Sequence, residues 1–318
     1  MYRTALVTGS SGFIGAHLCR RLAGLGVEVH TVSREDRPPA GSARSWKADL
    51  RDAAEAVEIV QAAAPEVIFH LAGYATGRRG IEHVLPACAG NLLTTVNVLQ
   101  AATAARCARV LIAGSLEEPD EHGADAICTS PYAASRLAAT IYARMFHRLY
   151  GTPVVATRIA MVYGPGPQNP AKLVPDVIRN FLSDRSPKLM SGNREADWIY
   201  VDDAIDALLA CSLAPGIEGE VIEIGSGRLT TTREIVERLR VLTGGGARPE
   251  YGALPDRCFE TSRVADVAST EARVGWHPLV PLEEGLARTV EWFRRESLQS
   301  DAGYSHVGAH SQGYARGQ

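Results

Sequence analysis

The sequence lacks the features that mark several special classes of protein. Its six cysteines are scattered, with no CxxC pair and no metal-ligand spacing, so neither a disulfide scaffold nor a structural metal site is predicted. The formal net charge of -3 gives no electrostatic basis for binding nucleic acid or an anionic membrane. No apolar run reaches the length of about 18 residues that spans a bilayer. We therefore expect a globular protein with reduced thiols and without metal, nucleic-acid or membrane partners.

The start of the chain, MYRTALVTG, runs directly into a strand pattern and lacks the layout of a signal peptide. The sequence therefore predicts a cytoplasmic protein.

A chain of 318 residues is long for one domain and short for three, which favours one large domain or two coupled ones.

The first half of the chain alternates short β-branched runs with longer helical patterns. TALVTG, VEVHTVS, VIFHLAG and RVLIAGS are apolar on both faces, as expected of parallel strands covered by helices on both sides. TPVVATRIAMVYG reads as one further strand. The predicted fold is α/β, a Rossmann-type doubly wound parallel sheet with a smaller C-terminal α/β part that binds substrate. Residues 1–165 form mainly the first part and 166–297 the second, with strand exchange between them, and 298–318 form a disordered tail.

A glycine-rich turn joins the first strand to the first helix. Gly9, Gly12 and Gly15 allow a tight turn and let backbone N–H groups approach a pyrophosphate at the helix N-terminus. The second strand then ends in Ser33 and Arg34, which favour the 2′-phosphate of NADP. Acidic residues follow directly, so NAD stays possible if the strand ends one residue later. Asp49 and Leu50, after the third strand, are expected to border the adenine.

A group of polar residues for proton transfer follows. Ser115 ends the strand RVLIAGS, Tyr132 opens a long helix, and Arg136 lies one turn further on the same helix face. A cation beside a phenol favours the phenolate, so the tyrosine can exchange a proton with a substrate oxygen that the serine hydroxyl polarises. His70 is expected to be a hydrogen-bonded histidine beside the cofactor, and Cys128 a spacer.

From about Thr4 to Phe293 the chain resembles the extended short-chain dehydrogenase/reductase family, in its nucleotide-sugar epimerase/dehydratase/reductase branch. The motifs are TGSSGFIG, ADLRD, FHLAG, the helix beginning at Asn91, AGS, SPYAAS, RIAMVYGPG, DWIYVDD and PDR. The resemblance implies a cofactor domain and a part that grips the nucleoside diphosphate of a sugar nucleotide. It also implies that Ser115 and Tyr132 handle protons, that Asn91 is a structural support, and that Leu173 to Val177 line the nucleotide pocket.

The predicted site has three sets of residues. The catalytic residues are Ser115, Tyr132, Arg136 and Glu117. The cofactor contacts are Gly9, Ser11, Gly12, Phe13, Ile14, Gly15, Ser33, Arg34, Asp49, Leu50, Leu71, Ala72, Gly73, Tyr132 and Arg136. The substrate contacts are Tyr74, Arg78, Asn169, Leu173, Val174, Arg194 and Arg257. By analogy with the family, helices around 92–106 and 132–150 pair with their copies in a homodimer.

The chain departs from the family pattern in three places. Arg136 replaces a lysine that binds the nicotinamide ribose, and arginine is planar, bulkier and not interchangeable with lysine. Ala196 stands where the family commonly has a diphosphate-binding arginine, a role that Arg194 or Arg257 can take. Leu116 replaces the acid of the Asp-Glu pair of 4,6-dehydratases, which leaves Glu117 as the one candidate base, with Glu118 expected to be a solvated loop acid.

The predicted function is NAD(P)-dependent chemistry at C4 of a nucleoside-diphosphate sugar, foremost 4-ketoreduction of a 4-keto-hexose, because an NADP-type strand end suits a consumed reductant. The alternatives are a 4-epimerase, a 4,6-dehydratase, and a catalytically weak protein that binds dinucleotide or sugar nucleotide.

Overall fold

The computed structural model describes residues 2–35, 38–119, 128–260 and 262–307, with side chains described up to residue 298. The strands are β1 Thr4–Thr8, β2 Glu28–Ser33, β3 Arg44–Lys47, β4 Val67–His70, β5 Arg109–Ser115, β6 Val154–Ile159, β7 Met161–Tyr163, β8 Glu195–Tyr200, β9 Val221–Ile224 and β10 Leu229–Thr231. The helices are α1 Phe13–Gly24, α2 Ala53–Ala63, α3 Val84–Ala87, α4 Thr94–Ala104, α5 Pro131–Tyr150, α6 Leu173–Leu182, α7 Val201–Leu213, α8 Thr232–Thr243, α9 Val267–Val274 and α10 Leu282–Val307.

A seven-stranded parallel sheet in the order β3-β2-β1-β4-β5-β6-β9 forms the centre of the molecule. One apolar core packs α1 and α7 against one face, and a second packs α2, α4 and α5 against the other. The strand order reverses between β1 and β4, where a doubly wound sheet opens a crevice for ligands. The Rossmann-type α/β fold predicted from the sequence is confirmed.

A smaller sheet in the order β10-β8-β7 stands beside the large one. The segment TPVVATRIAMVYG, predicted as one strand, is two: β6 pairs with β5 and β9 in the large sheet, and β7 pairs with β8 in the small one. The chain changes sheets at Ala160, whose N–H still bonds to Ile224 O at 2.8 Å. Strand β9 lies in the large sheet, although it follows β8 of the small sheet along the chain. The domain boundary at residue 165 stays a prediction.

The helix predicted to begin at Asn91 is less regular than expected. A 3₁₀ turn at Ile81–His83, α3 and a π-helical turn at Cys88–Leu93 lead into α4. Among the described residues this run, Ile81–Ala104, is the one helix long and apolar enough to cross a membrane by length and composition alone, and α4 packs between α2 and α5.

The C-terminal end differs in part from the sequence prediction. Helix α10 continues to Val307 and so enters the segment 298–318 that was predicted to be a disordered tail. The rest of that segment, 308–318, lies outside the described residues.

Candidate active site

A cavity of about 1010 Å³ opens at the carboxyl ends of the parallel strands. The loops that follow β1, β2, β4 and β5 line one side of it, and residues from α6, β8 and the segment 254–263 line the other. After the ligands predicted for them, the first side is called the cofactor half and the second the substrate half. It brings together all the predicted site residues except Arg78, which is exposed and does not line the cavity. Arg79 lines a small adjoining pocket and donates to Cys258 O.

The glycine turn after β1 has a geometry that fits a dinucleotide pyrophosphate. Gly9 has a φ of 67°, and a Cβ added there would lie 2.6 Å from Ala72 N. A Cβ on Gly15 would lie 2.8 Å from Ser10 Cα and still closer to Gly9 O. The N-cap of α1 is Gly12, which gives no side-chain hydrogen bond, so amides of the first turn stay available to an anion. The turn therefore holds a helix N-terminus open toward the cavity.

The part of the cavity predicted to take the adenosine lies at the end of β2. Ser33 Oγ lies 3.1 Å from Ser11 Oγ and accepts from Glu35 N–H at the same distance. Arg34 lines the cavity and is exposed, and Asp36 lies outside the described residues. Hydrogen bonds from Arg51 lower the pKa of Asp49, which is thus an ion-paired acid at the rim.

Asn97 fixes the neighbouring turn, since its Nδ2 donates to Leu50 O at 2.9 Å. Asn91, at the other end of the cofactor half, supports the backbone after β4. Its Oδ1 accepts from Tyr74 N–H at 2.7 Å and its Nδ2 donates to Ser135 Oγ at 2.8 Å. The predicted supporting role of Asn91 is confirmed by these contacts.

His70 is a fully buried, neutral histidine. Burial and the charge of Arg136 lower its pKa to about 3. Thr94 Oγ1 gives its proton to Gly90 O, so it can only accept from His70 Nε2–H, at 3.5 Å. This leaves Nδ1 to accept from Thr8 Oγ1–H at 2.8 Å. His70 is thus hydrogen-bonded, as expected, and it does not line the cavity.

Ser115 ends β5 with its hydroxyl oriented by the following turn. Its Oγ accepts a hydrogen bond from Glu117 N–H at 3.1 Å, which leaves the hydroxyl proton for a substrate oxygen. Leu116 is buried, so the position used by an acid in dehydratases presents only an apolar side chain. The strand end therefore offers one hydroxyl donor followed by one carboxylate.

Tyr132 and Arg136 are presented by the first turns of α5. Ser130 caps this helix by accepting from Ala133 N–H at 3.0 Å, and Pro131 begins it. The Arg136 Cζ lies 5.5 Å from the centroid of the Tyr132 ring, and its Nη1 donates to Ala113 O at 2.6 Å. Arg136 is only 4% exposed, and its Nε has no hydrogen-bond partner among the described residues. A fixed, buried cation thus stands beside the phenol.

The substrate half carries a cluster of opposite charges. Arg194 Nη2 donates to Glu117 Oε1 at 3.3 Å, and its Nε lies 3.4 Å from Glu260 Oε1. Arg257 Nη1 lies 3.6 Å from the same Glu260 oxygen. Both arginines predicted to grip a diphosphate are thus already paired with carboxylates of this chain. A substrate diphosphate must compete with these acids for the two guanidinium groups.

Glu260 and Lys172 are among the charged residues that line the cavity and that sequence reasoning missed. Neither lies in a periodic element, because both belong to irregular segments whose folding depends on distant contacts, so no sequence pattern marks them. Cys128 shows no sign of a reactive thiol, since burial and the charge of Glu118 raise its pKa. Among the described residues no group of three or more His, Cys, Asp or Glu side chains is placed to hold a metal ion.

Glu118 contradicts its sequence expectation. It was predicted to be a solvated loop acid, but it is 0% exposed. Its carboxylate accepts hydrogen bonds from donors on β5, α5 and β6. Local sequence offered no signal for this, because two of the three donors, on Thr140 and Arg158, come from residues distant along the chain.

Comparison with known proteins gives consistent matches over most of the chain. Residues 5–225 match the model of the NAD dependent epimerase/dehydratase family. The UDP-glucose 4-epimerase of Mycolicibacterium smegmatis is 31% identical, over 92% of this chain and 99% of that protein. The dTDP-glucose 4,6-dehydratase of Neisseria gonorrhoeae is 29% identical, over 92% and 95%. The solved structure of MoeE5 in complex with UDP-glucose and NAD has a TM-score of 0.84 and 30% identity, over 92% and 99%.

Proposed function

We propose a specific reaction for this chain, which belongs to the NAD-dependent epimerase/dehydratase family: it is a 4-epimerase of a nucleoside-diphosphate hexose. The observation that carries the proposal is the pairing of one hydroxyl donor, Ser115, with one phenol, Tyr132, on a single cavity in which Leu116 fills the dehydratase acid position. Such a pair moves a proton at one oxygen, and although Glu117 could act as a base at a neighbouring carbon, Leu116 supplies no acid for the leaving hydroxyl. Dehydration is therefore disfavoured.

The chain's own residues perform the proton transfer and the orientation. Tyr132 removes the proton from the C4 hydroxyl, and the buried Arg136 guanidinium stabilises the negative charge that develops on the phenol oxygen. Ser115 donates its hydroxyl proton as a hydrogen bond to the same C4 oxygen while Glu117 N–H holds the serine in place. NAD held by the glycine turn after β1 would supply hydride acceptance at C4 and its return to the opposite face of the rotated sugar. In the return step Tyr132 gives the proton back.

NAD is the expected cofactor. The sequence favoured NADP because Ser33 and Arg34 end the second strand. The related structure of MoeE5 contains NAD, however, and here the two hydroxyls of Ser11 and Ser33 contact each other at the end of β2. Arg34 is exposed on the rim. The glycine turn and its open helix N-terminus suit the pyrophosphate of either dinucleotide.

The test of the function is a product assay with purified protein and no added nicotinamide. UDP-glucose is the first substrate to try, because the solved relative MoeE5 holds it. We expect conversion to an equilibrium mixture with the C4 epimer, no net reduction of NAD, and release of NAD when the protein is denatured. Failure to form any C4 epimer from uridine, thymidine or guanosine diphosphate hexoses would overturn the proposal.

The second candidate is a 4-ketoreductase, favoured by the cationic Arg34 at the rim of the cavity. A reductase consumes its reductant, so it should oxidise NADPH stoichiometrically when given a nucleoside-diphosphate 4-keto-hexose. The same preparation should then leave a nucleoside-diphosphate hexose that lacks the 4-keto group unchanged. The two assays therefore separate the candidates.

Arg136→Lys tests whether the site is adapted to arginine or impaired by it. We expect kcat to fall about 10-fold, because the shorter lysine cannot both reach Ala113 O and lie beside the Tyr132 ring as the planar guanidinium does. The measurement is steady-state kinetics beside the control Arg148→Lys, an exposed arginine on the same helix. A gain in turnover would instead indicate a catalytically weak binding protein.

Glu260→Gln tests the competition for the two arginines. We expect KM for the sugar nucleotide to fall about fivefold with kcat unchanged, because the variant removes a negative charge that lies within 3.6 Å of both Arg194 and Arg257. The control is Glu291→Gln, which alters a surface pair with Arg295 on α10. A rise in KM would show that Glu260 holds the arginines in their productive positions.

A homodimer is the expected assembly. Ile81, Leu85 and Leu93 are exposed along the helical run before and at the start of α4, and Ile141 and Leu149 are exposed on the adjoining α5. These exposed apolar side chains lie on helical segments that contact each other, and we expect a second copy to cover them. Light scattering should give twice the monomer mass, and a monomer at micromolar concentration would contradict this assembly.

A further inference from the structure

Glu118 is bound by donors from three parts of the fold. Its Oε1 accepts from Ser115 N–H at 2.7 Å, and its Oε2 accepts from Thr140 Oγ1 at 2.9 Å and from Arg158 Nε at 3.1 Å. These donors come from the end of β5, from α5 and from β6. Gly114 leaves room for the carboxylate, because a Cβ there would collide with Glu118 Oε1. The three hydrogen bonds compensate the cost of burying this carboxylate, because a buried charge without partners is strongly destabilising.

These contacts tie together the two elements that carry the reacting groups. Glu118 holds Ser115 through both of its backbone groups, because the Ser115 carbonyl also accepts from Glu118 N–H at 3.0 Å. Thr140 lies one helical turn beyond Arg136 on α5, the helix that presents Tyr132. Glu118 therefore fixes the end of β5 relative to α5, although it does not itself line the cavity.

The same residue also connects to the substrate half. Arg263 Nη1 donates to Glu118 O at 2.6 Å, and its Nη2 donates to Glu223 Oε1 at 2.6 Å. Arg263 lines the cavity and belongs to the segment that carries Arg257 and Glu260. The backbone of Glu118 is thus anchored from the substrate side while its carboxylate is anchored from the cofactor side.

We propose that Glu118 is a positioning residue that holds the Ser115 hydroxyl at the distance from Tyr132 required for reaction at one substrate oxygen. The proposal rests on the proposed function, in which Ser115 contacts the C4 oxygen. Glutamine has nearly the same shape but carries one NH₂ group, so it must turn a donor toward Ser115 N–H or toward Arg158 Nε. Glu118→Gln should therefore shift the position of Ser115 without leaving a cavity in the core.

The experiment is a double-mutant cycle on kcat with Ser115→Ala, Glu118→Gln and the double variant. We expect about a 100-fold loss for Ser115→Ala and about a 10-fold loss for Glu118→Gln, since small misplacements of reacting groups are costly. In the Ser115→Ala background Glu118→Gln should change kcat by less than about threefold. KM should stay within about twofold, because Glu118 is outside the cavity lining.

Glu218→Gln is the matched control, because Glu218 also accepts from a largely buried arginine, Arg109 at 2.7 Å, but lies away from the cavity. It should keep the parent kcat. Thr140→Val removes one donor and serves if Glu118→Gln does not fold, with an expected loss in kcat of about threefold. The Thr140→Val loss should likewise disappear in the Ser115→Ala background.

The outcomes separate the two proposals. A parent-like kcat for Ser115→Ala would remove the serine from the proposed reaction, whatever Glu118 does. A loss for Ser115→Ala with an unchanged kcat for Glu118→Gln, or with losses that simply multiply in the double variant, would overturn the positioning role alone. A fall in melting temperature with unchanged kcat would reduce Glu118 to a purely structural residue.

Discussion

Replacement of Tyr132 by phenylalanine is expected to lower kcat by about 10³-fold, the range of a lost general acid–base group. The substitution removes one oxygen and leaves the ring, so the 5.5 Å approach of Arg136 to the ring and the Ser130 cap of α5 should survive. Cofactor retention and KM should change little. The measurement is kcat for C4 epimerisation, with bound NAD quantified after denaturation.

Tyr142→Phe is the matched control for Tyr132→Phe. It makes the same change on the same helix, at a tyrosine that is exposed and outside the cavity lining. We expect parent-like kcat for this variant. If Tyr132→Phe kept more than about a tenth of the parent kcat, proton exchange through this phenol could not be the main route.

Gly15→Ala is expected to weaken cofactor binding by about 100-fold. The new methyl would press on Gly9 O and lie 2.8 Å from Ser10 Cα, so the turn after β1 must move and its amides must turn away from the pyrophosphate. Forcing a methyl into such a packed place costs about 1–3 kcal/mol, which corresponds to roughly 10- to 100-fold in binding if the turn bears the strain.

Gly24→Ala is the control for Gly15→Ala, because it adds the same methyl at the end of the same helix where a Cβ would meet nothing within 4 Å. We expect unchanged NAD affinity and a slightly higher melting temperature, since alanine is favoured over glycine in a helix by about 0.5–1 kcal/mol. Titration with NAD, read by calorimetry on protein stripped of nucleotide, checks both variants. Equal affinities for the two would show that the pyrophosphate does not lie on this turn.

The sequence predicted well those features that depend on near neighbours in the chain. The turn from Gly9 to Gly15 could be recognised because a strand, three spaced glycines and a helix follow one another directly. The pairing of Tyr132 with Arg136 followed from their spacing on one helix, and the Rossmann-type sheet followed from alternating strand and helix patterns. Each of these depends on backbone conformation over a few residues.

Contacts between distant residues were harder to predict. Glu118 was expected to face solvent because its loop is polar, but Arg158 and Arg263 reach it from later parts of the chain. Arg194 and Arg257 were expected to await a diphosphate, yet Glu117 and Glu260 already pair with them. No local pattern encodes such partners.

The sequence by itself determined the alternation of strands and helices in the first half of the chain, the glycine-rich turn after β1 and the proposed roles of Ser115 and Tyr132. The tertiary structure decided that one cavity unites them, that the chain changes sheets at Ala160, and that a carboxylate is buried behind the serine. The physical reason is that hydrogen-bond and apolar periodicity act over a few residues. Burial and charge pairing, in contrast, are settled only when segments far apart in the chain pack against each other.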